Sequence, residues 1–449
     1  MGSPETSRPS EIIPSHSQEP ITEEDGRAEL KKVEHEQRAK REKNERAAES
    51  RYADSLLESD EIPESGVEIS SNTEGKIQEI IFQRRGDGFD ATYLSFLQKR
   101  PDISVTMVVS SEEEKEDFVK KVQKAQLQQN RCNFVVMGTN DRDISVWARD
   151  SYVMTRTSDG KSAVMEPKGR TRYPSAGDRD VADRIVATTG EQLLTSQLIF
   201  DGGDMRASGE YLFVGAITIM QNIPQGKSAT PENVQEVMNK FEKQFGKKIK
   251  VVGSTQEINK NGEKGKYLEP VSTDVEKAEP VFHLDLYFTP LNNKTIAIAD
   301  PNLTKKILQN MQDKNFSEMA TELMEGIGSY EILQELRQFR DTSESLPSQK
   351  ELDRIAAEME SQGFTIIRVP YFQALNFPVS YNNSLIENYS ENNEQITQIS
   401  IPQYGIKALD AAARNVYEQA GMKVIPIDGL APGVTQMGAL NCLTSEKRK

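Results

Sequence analysis

Cysteine is nearly absent from this chain. Cys132 and Cys442 are the only two in 449 residues, which excludes a disulfide framework and the small secreted scaffolds that depend on one. No run approaches the 18 apolar residues of a membrane span, and the N-terminus lacks the apolar core of a signal peptide, so a soluble, cytoplasmic protein is expected. Positive charge is in deficit, 55 Lys and Arg against 70 Asp and Glu for a net charge of -15. Such a surface repels nucleic acid and anionic membrane and favours a cationic ligand. Histidine is limited to His16, His35 and His283, and tryptophan to Trp147.

What is present divides unevenly. Residues 1–74 form a polar, charged arm that includes "RAELKKVEHEQRAKREKNERAAESRYADSLL". Good helix formers without sustained a/d heptads predict a solvated helix or a disordered segment, with an oligomer or partner contact as its use. Its first residues, Met1-Gly2-Ser3-Pro4-Glu5-Thr6, fit the loose myristoylation pattern, but no polybasic second signal follows. From residue 75 to 449 an amphipathic helix followed by a β-branched strand recurs five times. The first unit has Ser111 as N-cap and Glu114 three places on, then Phe118, Val122 and the strand "CNFVVMG". The others are "RDVADRIVATTGEQLLTSQLIFDGG", the helix from Thr230-Pro231 before "KKIKVVG", that of Leu352, Ile355 and Met359 before "FTIIRVP", and that of Leu409, Ala413 and Val416 before "MKVIPID". "YLFVGAITI" and "TIAIAD" read as extra strands, and residues 302–347 as a helical insertion. The fold class expected is α/β, a closed ring of five irregular units with the polar residues after each strand converging on one axis.

Those polar residues carry the chemistry. His16 and His35 lie in the arm, leaving His283, in "PVFHLDLYFTP", as the only imidazole of the folded region. Asp285 is two places on and faces the same side of an extended segment. Asp150 ends "VWARD" after Trp147 and Arg149, and "FDGGDMRASGEYLFVG" sets Asp201 and Asp204 around a Gly-Gly pair. Asp201 reads as a turn residue and Cys132 as a small buried hydrophobe. Cys442, in "MGALNCLTSEKRK", stands where chains usually fray. Several carboxylates near a thiol raise its pKa, an arrangement that makes sense if the substrate is itself a cation. A guanidinium, planar and always charged, matches carboxylates through a fork of N–H donors.

"WARD", "DGGDM", "HLD" and the near-terminal "NC", in that order over about residues 75–449, resemble the guanidino-group-modifying superfamily, which includes the arginine, agmatine and peptidylarginine deiminases and the amidinotransferases. The resemblance implies a fivefold pseudosymmetric α/β propeller (the pentein fold) that needs no cofactor or metal. It also implies Cys442 as nucleophile, His283 as general acid/base, Asp285 and Asp150 as grips on the guanidinium, and Asp204, Trp147 and Arg149 beside the substrate. Agmatine deiminases continue "RD" with Gly-Pro where this chain has Ser151-Tyr152, which leaves the substrate's tail open between arginine, agmatine and peptidyl-arginine. The expected reaction is hydrolytic deimination through a Cys thiouronium to a ureido product such as citrulline and ammonia. An amidinotransferase would use the same residues, and a non-enzymatic binding propeller would generally lack them.

Overall fold

The computed structural model describes residues 66–449 except 139–143, 170–176, 225–226, 254, 261–262, 271–279, 281–282, 314, 319–329, 343–346 and 375–376. The expectations for the arm therefore lie outside the described residues as far as residue 65, and part of the 302–347 segment does too.

Five sheets repeat one pairing scheme: an antiparallel pair, then a helical crossover to a parallel third strand. In the first, Val153–Thr157 pairs with Ser162–Glu166, which runs beside Gln192–Thr195 after helix Asp178–Thr189. Met205–Ser208, Tyr211–Gly215 and Lys248–Val252 follow suit, with helix Pro231–Phe245 in the crossover. Phe288–Pro290, Thr295–Asp300 and Thr365–Ala374 enclose the helices Pro301–Gln309, Tyr330–Asp341 and Pro347–Ser361. Leu385–Glu391, Glu394–Pro402 and Lys423–Ile427 use helix Lys407–Gln419. The fifth sheet joins the two ends of the described chain: Thr444–Arg448 pairs antiparallel with Ile77–Gln83, which runs parallel to Ser104–Val109. Parallel neighbours need a crossover of a dozen or more residues, so the helices alternate with the strands.

Local chemistry sets the boundaries. Ser111 accepts from the Glu114 amide at 3.3 Å, and the Glu114 carboxylate turns back onto the Ser110 amide at 2.9 Å. Thr230 accepts from the Asn233 amide at 3.2 Å, with Pro231 in the first turn. That helix ends at Gly246, whose φ of 68° suits a residue without Cβ, and it buries Val234, Val237, Phe241 and Phe245. No helix among the described residues is long and apolar enough to cross a membrane.

Several expectations shift. Ordered structure begins before residue 75, because Val67–Ile69 pairs with Val153–Thr157 and buries Val67 and Ile69. An additional helix, Asp90–Lys99, precedes strand Ser104–Val109. Only the first part of "YLFVGAITI" is a strand; Ala216–Gln221 is helical. A two-stranded hairpin, Thr255–Lys260 with Glu263–Pro270, stands outside the repeated scheme.

Buried charge ties successive sheets together. Glu387, on strand Leu385–Glu391 and fully buried, accepts from Arg100 Nη1 at 2.7 Å, from the Ile77 amide at 2.8 Å and from Gln398 Nε2 at 2.9 Å. Removing one partner of a buried pair strands the other charge. The Glu387→Ala variant should therefore lose about 3–5 kcal/mol of stability, measured by urea unfolding; a loss below about 1 kcal/mol would show the pair to be marginal.

Candidate active site

Cys442 sits in the turn that leads into strand Thr444–Arg448 and is 3% exposed. Its position is fixed from several directions. The Cys442 amide donates to Asn383 Oδ1 at 3.1 Å, its carbonyl accepts from the Arg149 amide at 3.2 Å, and Asn383 Nδ2 approaches Sγ at 3.1 Å. Asp285 lies against the thiol, with Sγ 3.4 Å from Oδ2 and 3.8 Å from Oδ1. Asn441 Nδ2 donates to that same Oδ2 at 2.6 Å.

His283 is the third member. Its Nε2 is 3.4 Å from Asp201 Oδ2 and its Nδ1 3.9 Å from Asp150 Oδ2, and it also interacts with the Cys442 thiol. Asp150 is not at the end of a strand but in the one-turn helix Ala148–Ser151, where Oδ1 accepts from the Gly203 amide at 3.0 Å. Gly203 permits this approach: a Cβ there would lie 2.7 Å from His283 Nδ1 and 3.2 Å from Asp150 Oδ1. The His283-Asp285 segment is also not extended. Leu284–Leu286 forms a 3₁₀ turn, with the Tyr287 amide on the Leu284 carbonyl at 3.1 Å. The turn presents His283 to Asp201 and Asp150 while Asp285 meets the sulfur.

The electrostatics of this group are lopsided. Burial acts to lower the pKa of His283, but the Asp150 charge, the Asp201 bond and the Cys442 contact hold it well above the usual histidine range. Burial, and then the Asp285 charge, push the Cys442 thiol up to about 12, with His283 acting against them. Both shifts run toward an imidazolium beside a neutral thiol in the resting site. Because its folded pKa is raised, His283 contributes stability that is complete below its unfolded value near 6.5 and is lost as pH rises through the folded value.

Cys442, His283, Asp285 and Asp150 thus come together from segments remote in the chain. Asp204 and Arg149, expected beside the substrate, are both engaged within the protein. Asp204 is fully buried, with Oδ1 accepting from the Leu284 amide at 3.0 Å and Oδ2 from the Thr218 hydroxyl at 2.7 Å, so its oxygens hold the turn of His283 in place. Arg149 turns from the thiol toward Glu446 and the Asn441 side chain, the latter at 3.1 Å. Trp147 is half-buried, stands edge-on to Phe89 at 6.1 Å and packs against the apolar clusters on either side of it. Sequence reasoning missed Asp201, read as a turn residue, along with Asn383 and Asn441; a carboxylate opening a Gly-Gly turn was the available signal for Asp201 alone.

These charges have a measurable consequence. In a Cys132→Ser background, alkylation of Cys442 by iodoacetamide should show a pH midpoint well above that of an ordinary thiol. The Asp285→Asn variant, with a like charge removed, should lower it by about one unit or more. An unchanged midpoint would mean that Asp285 does not act on the sulfur.

No family model matches the sequence, and no curated protein does. Solved structures do. The chain is similar to an agmatine deiminase of C. jejuni, with 13% identity, a TM-score of 0.54 and coverage of 85% of this chain and 96% of that one. A Cys-to-Ser variant of that C. jejuni enzyme with substrate bound gives 13% identity, a TM-score of 0.56 and coverage of 87% and 99%. The agmatine deiminase of Enterococcus faecalis gives 12% identity, a TM-score of 0.52 and coverage of 86% and 96%. At this identity the likeness lies in the architecture: this chain has the fold of the agmatine deiminases.

Proposed function

We propose that the protein hydrolyses the guanidinium of a small linear substrate of the agmatine kind to a ureido product and ammonia, with Cys442 as nucleophile. The observation that carries this reading is a buried thiol that meets a carboxylate and a histidine, Sγ being 3.4 Å from Asp285 and His283 standing between Asp201 and Asp150. Two of these acids, Asp285 and Asp150, oppose ionisation of the thiol, and they become useful when the ligand is a cation. The guanidinium would be held by Asp285 and Asp150 through charge-assisted bonds. Its charge would offset that of Asp285 and draw the Cys442 pKa down from about 12.

Binding of the guanidinium would release the Cys442 thiol proton to water, leaving the thiolate beside the His283 imidazolium. The thiolate attacks the central carbon and a C–S bond forms. His283, held as an imidazolium with Asp201 orienting its Nε2, gives its proton to the departing nitrogen, and ammonia leaves a thiouronium on Cys442. Water adds to that carbon and yields a proton to His283. The C–S bond then breaks as the hydroxyl proton passes to the sulfur, releasing the ureido product and returning the Cys442 thiol. Near-complete burial of Cys442 favours a small guanidine over an arginine in a protein chain. A reducing cytoplasm suits a catalytic free thiol. The five repeated sheets, with the last strand paired to Ile77–Gln83, support a five-bladed ring carrying the site on its axis.

Product analysis with agmatine, arginine, methylated arginine and an arginyl peptide tests the reading. Agmatine should give ureido product and equimolar ammonia, and Cys442→Ala should reduce kcat by more than about 10⁴-fold. Asp150→Asn should raise KM by about tenfold or more. No ureido product from any of the four would overturn the proposal.

A further inference from the structure

Bonded to Asn441, the residue before Cys442, is a buried cation that the reaction itself does not use. Arg206, on strand Met205–Ser208, is 1% exposed. Its Nη1 donates to Asn441 Oδ1 at 2.6 Å and its Nη2 to the Ser384 carbonyl at 3.3 Å; Nε has no hydrogen-bond partner among the described residues. Both acceptors are neutral. A buried guanidinium without a directly opposed carboxylate is a poor contributor to stability. Burial, followed by repulsion from Arg149, lowers its pKa to about 10, while the charges of Asp285 and Glu446 act to hold it up.

The arrangement around Asn441 indicates what this cation does. Asn441 Oδ1 accepts from Arg206 at 2.6 Å and from Arg149 at 3.1 Å, while Asn441 Nδ2 donates to Asp285 Oδ2 at 2.6 Å. Two arginines on the oxygen leave the amide one orientation that satisfies it, with Nδ2 toward Asp285. We propose that Arg206 is a positioning residue: through Asn441 it fixes the Asp285 carboxylate beside Cys442 and so sets how strongly the site takes a guanidinium-type cation. This inference rests on the guanidinium-binding reading above. Asp285 Oδ2 is held by the amide at 2.6 Å, and in this proposal Oδ1, 3.8 Å from Sγ, is left to the ligand.

Two alkylating probes of similar size test it in a Cys132→Ser background. 2-Chloroacetamidine is a planar cation and iodoacetamide is neutral; each forms one C–S bond at Cys442 and releases halide. The wild-type site should favour chloroacetamidine over iodoacetamide by more than free cysteine does. Arg206→Met should cut that preference by about tenfold or more, while Arg206→Lys, which keeps a donor and a charge, should restore much of it. In an Asp285→Asn background Arg206→Met should cause no further loss, because the two act on one step. A purely structural role would slow both reagents alike.

Should Arg206→Met fail to fold, Asn441→Asp carries the same test, since it keeps the acceptor for both arginines but places an oxygen against Asp285. Its preference should fall to the same degree. A folded Arg206→Met or Asn441→Asp protein that retained the wild-type preference would overturn the positioning role and leave the guanidinium reading intact. A wild-type site that favoured the cation no more than free cysteine does would overturn both.

Discussion

One buried carboxylate holds the end of this chain in place. Glu446, on the last strand and 4% exposed, is bonded to Arg149, to Asn72 Nδ2 at 3.1 Å and to Arg448 at 3.4 Å. Burial acts to raise its pKa, but the charges of Arg149, Arg448 and Arg206 together with the Asn72 bond bring it to about 2. With Glu446 anchored, strand Thr444–Arg448 adds to Ile77–Gln83, and Cys442 is carried to the carbonyl-to-amide contact with Arg149. Cys442, seven places before Lys449, is thereby tied down by a paired strand. The stability contributed by Glu446 is complete above its unfolded value and is lost as pH falls toward about 2.

From that anchor the charges are layered. Arg149 and Arg448 bond Glu446, Arg206 acts on it through its charge, and the Asn441 side chain links Arg149 and Arg206 to Asp285. Asp285 faces the sulfur, and beyond it Asp150 and Asp201 hold His283. Asp285 raises the thiol pKa while His283 lowers it. In this account the free site is held in an unreactive protonation state, and a cationic ligand is what changes the balance. Substrate charge would then act as part of the catalytic apparatus, a form of differential binding in which the reactive thiolate is favoured only when the site is filled.

How much of this was legible in the sequence follows from range. Helix Glu112–Lys124 and helix Pro231–Phe245 were readable because their caps and apolar faces are local. Helix Asp90–Lys99 was not, since Phe89 in its N-cap position gives no side-chain cap and its buried face includes Asp90, Thr92 and Ser95. Strand Val67–Ile69 was hidden by its brevity and by a partner 86 to 90 positions away, from Ile69 to Thr155 and from Val67 to Thr157. Within the site, Cys442, His283, Asp285 and Asp150 stood out by residue type and ordered motif. Asn383, Asn441 and Arg206 did not, because their roles arise from contacts across 59, 156 and 235 positions between residues that are unremarkable in their own segments. Asp201 and Asp204 were both visible in "FDGGDM", but which carboxylate meets His283 is decided by the turn between them.

The measurement that bears most directly on the central claim is a search for the covalent intermediate. The protein is quenched with acid during turnover of agmatine, digested, and the peptide carrying Cys442 examined by mass spectrometry. The account predicts an adduct on Cys442 equal in mass to the substrate less ammonia, absent from Cys132 and absent when agmatine is omitted. Ureido product formed with no such adduct, and formed undiminished by Cys442→Ser, would contradict it.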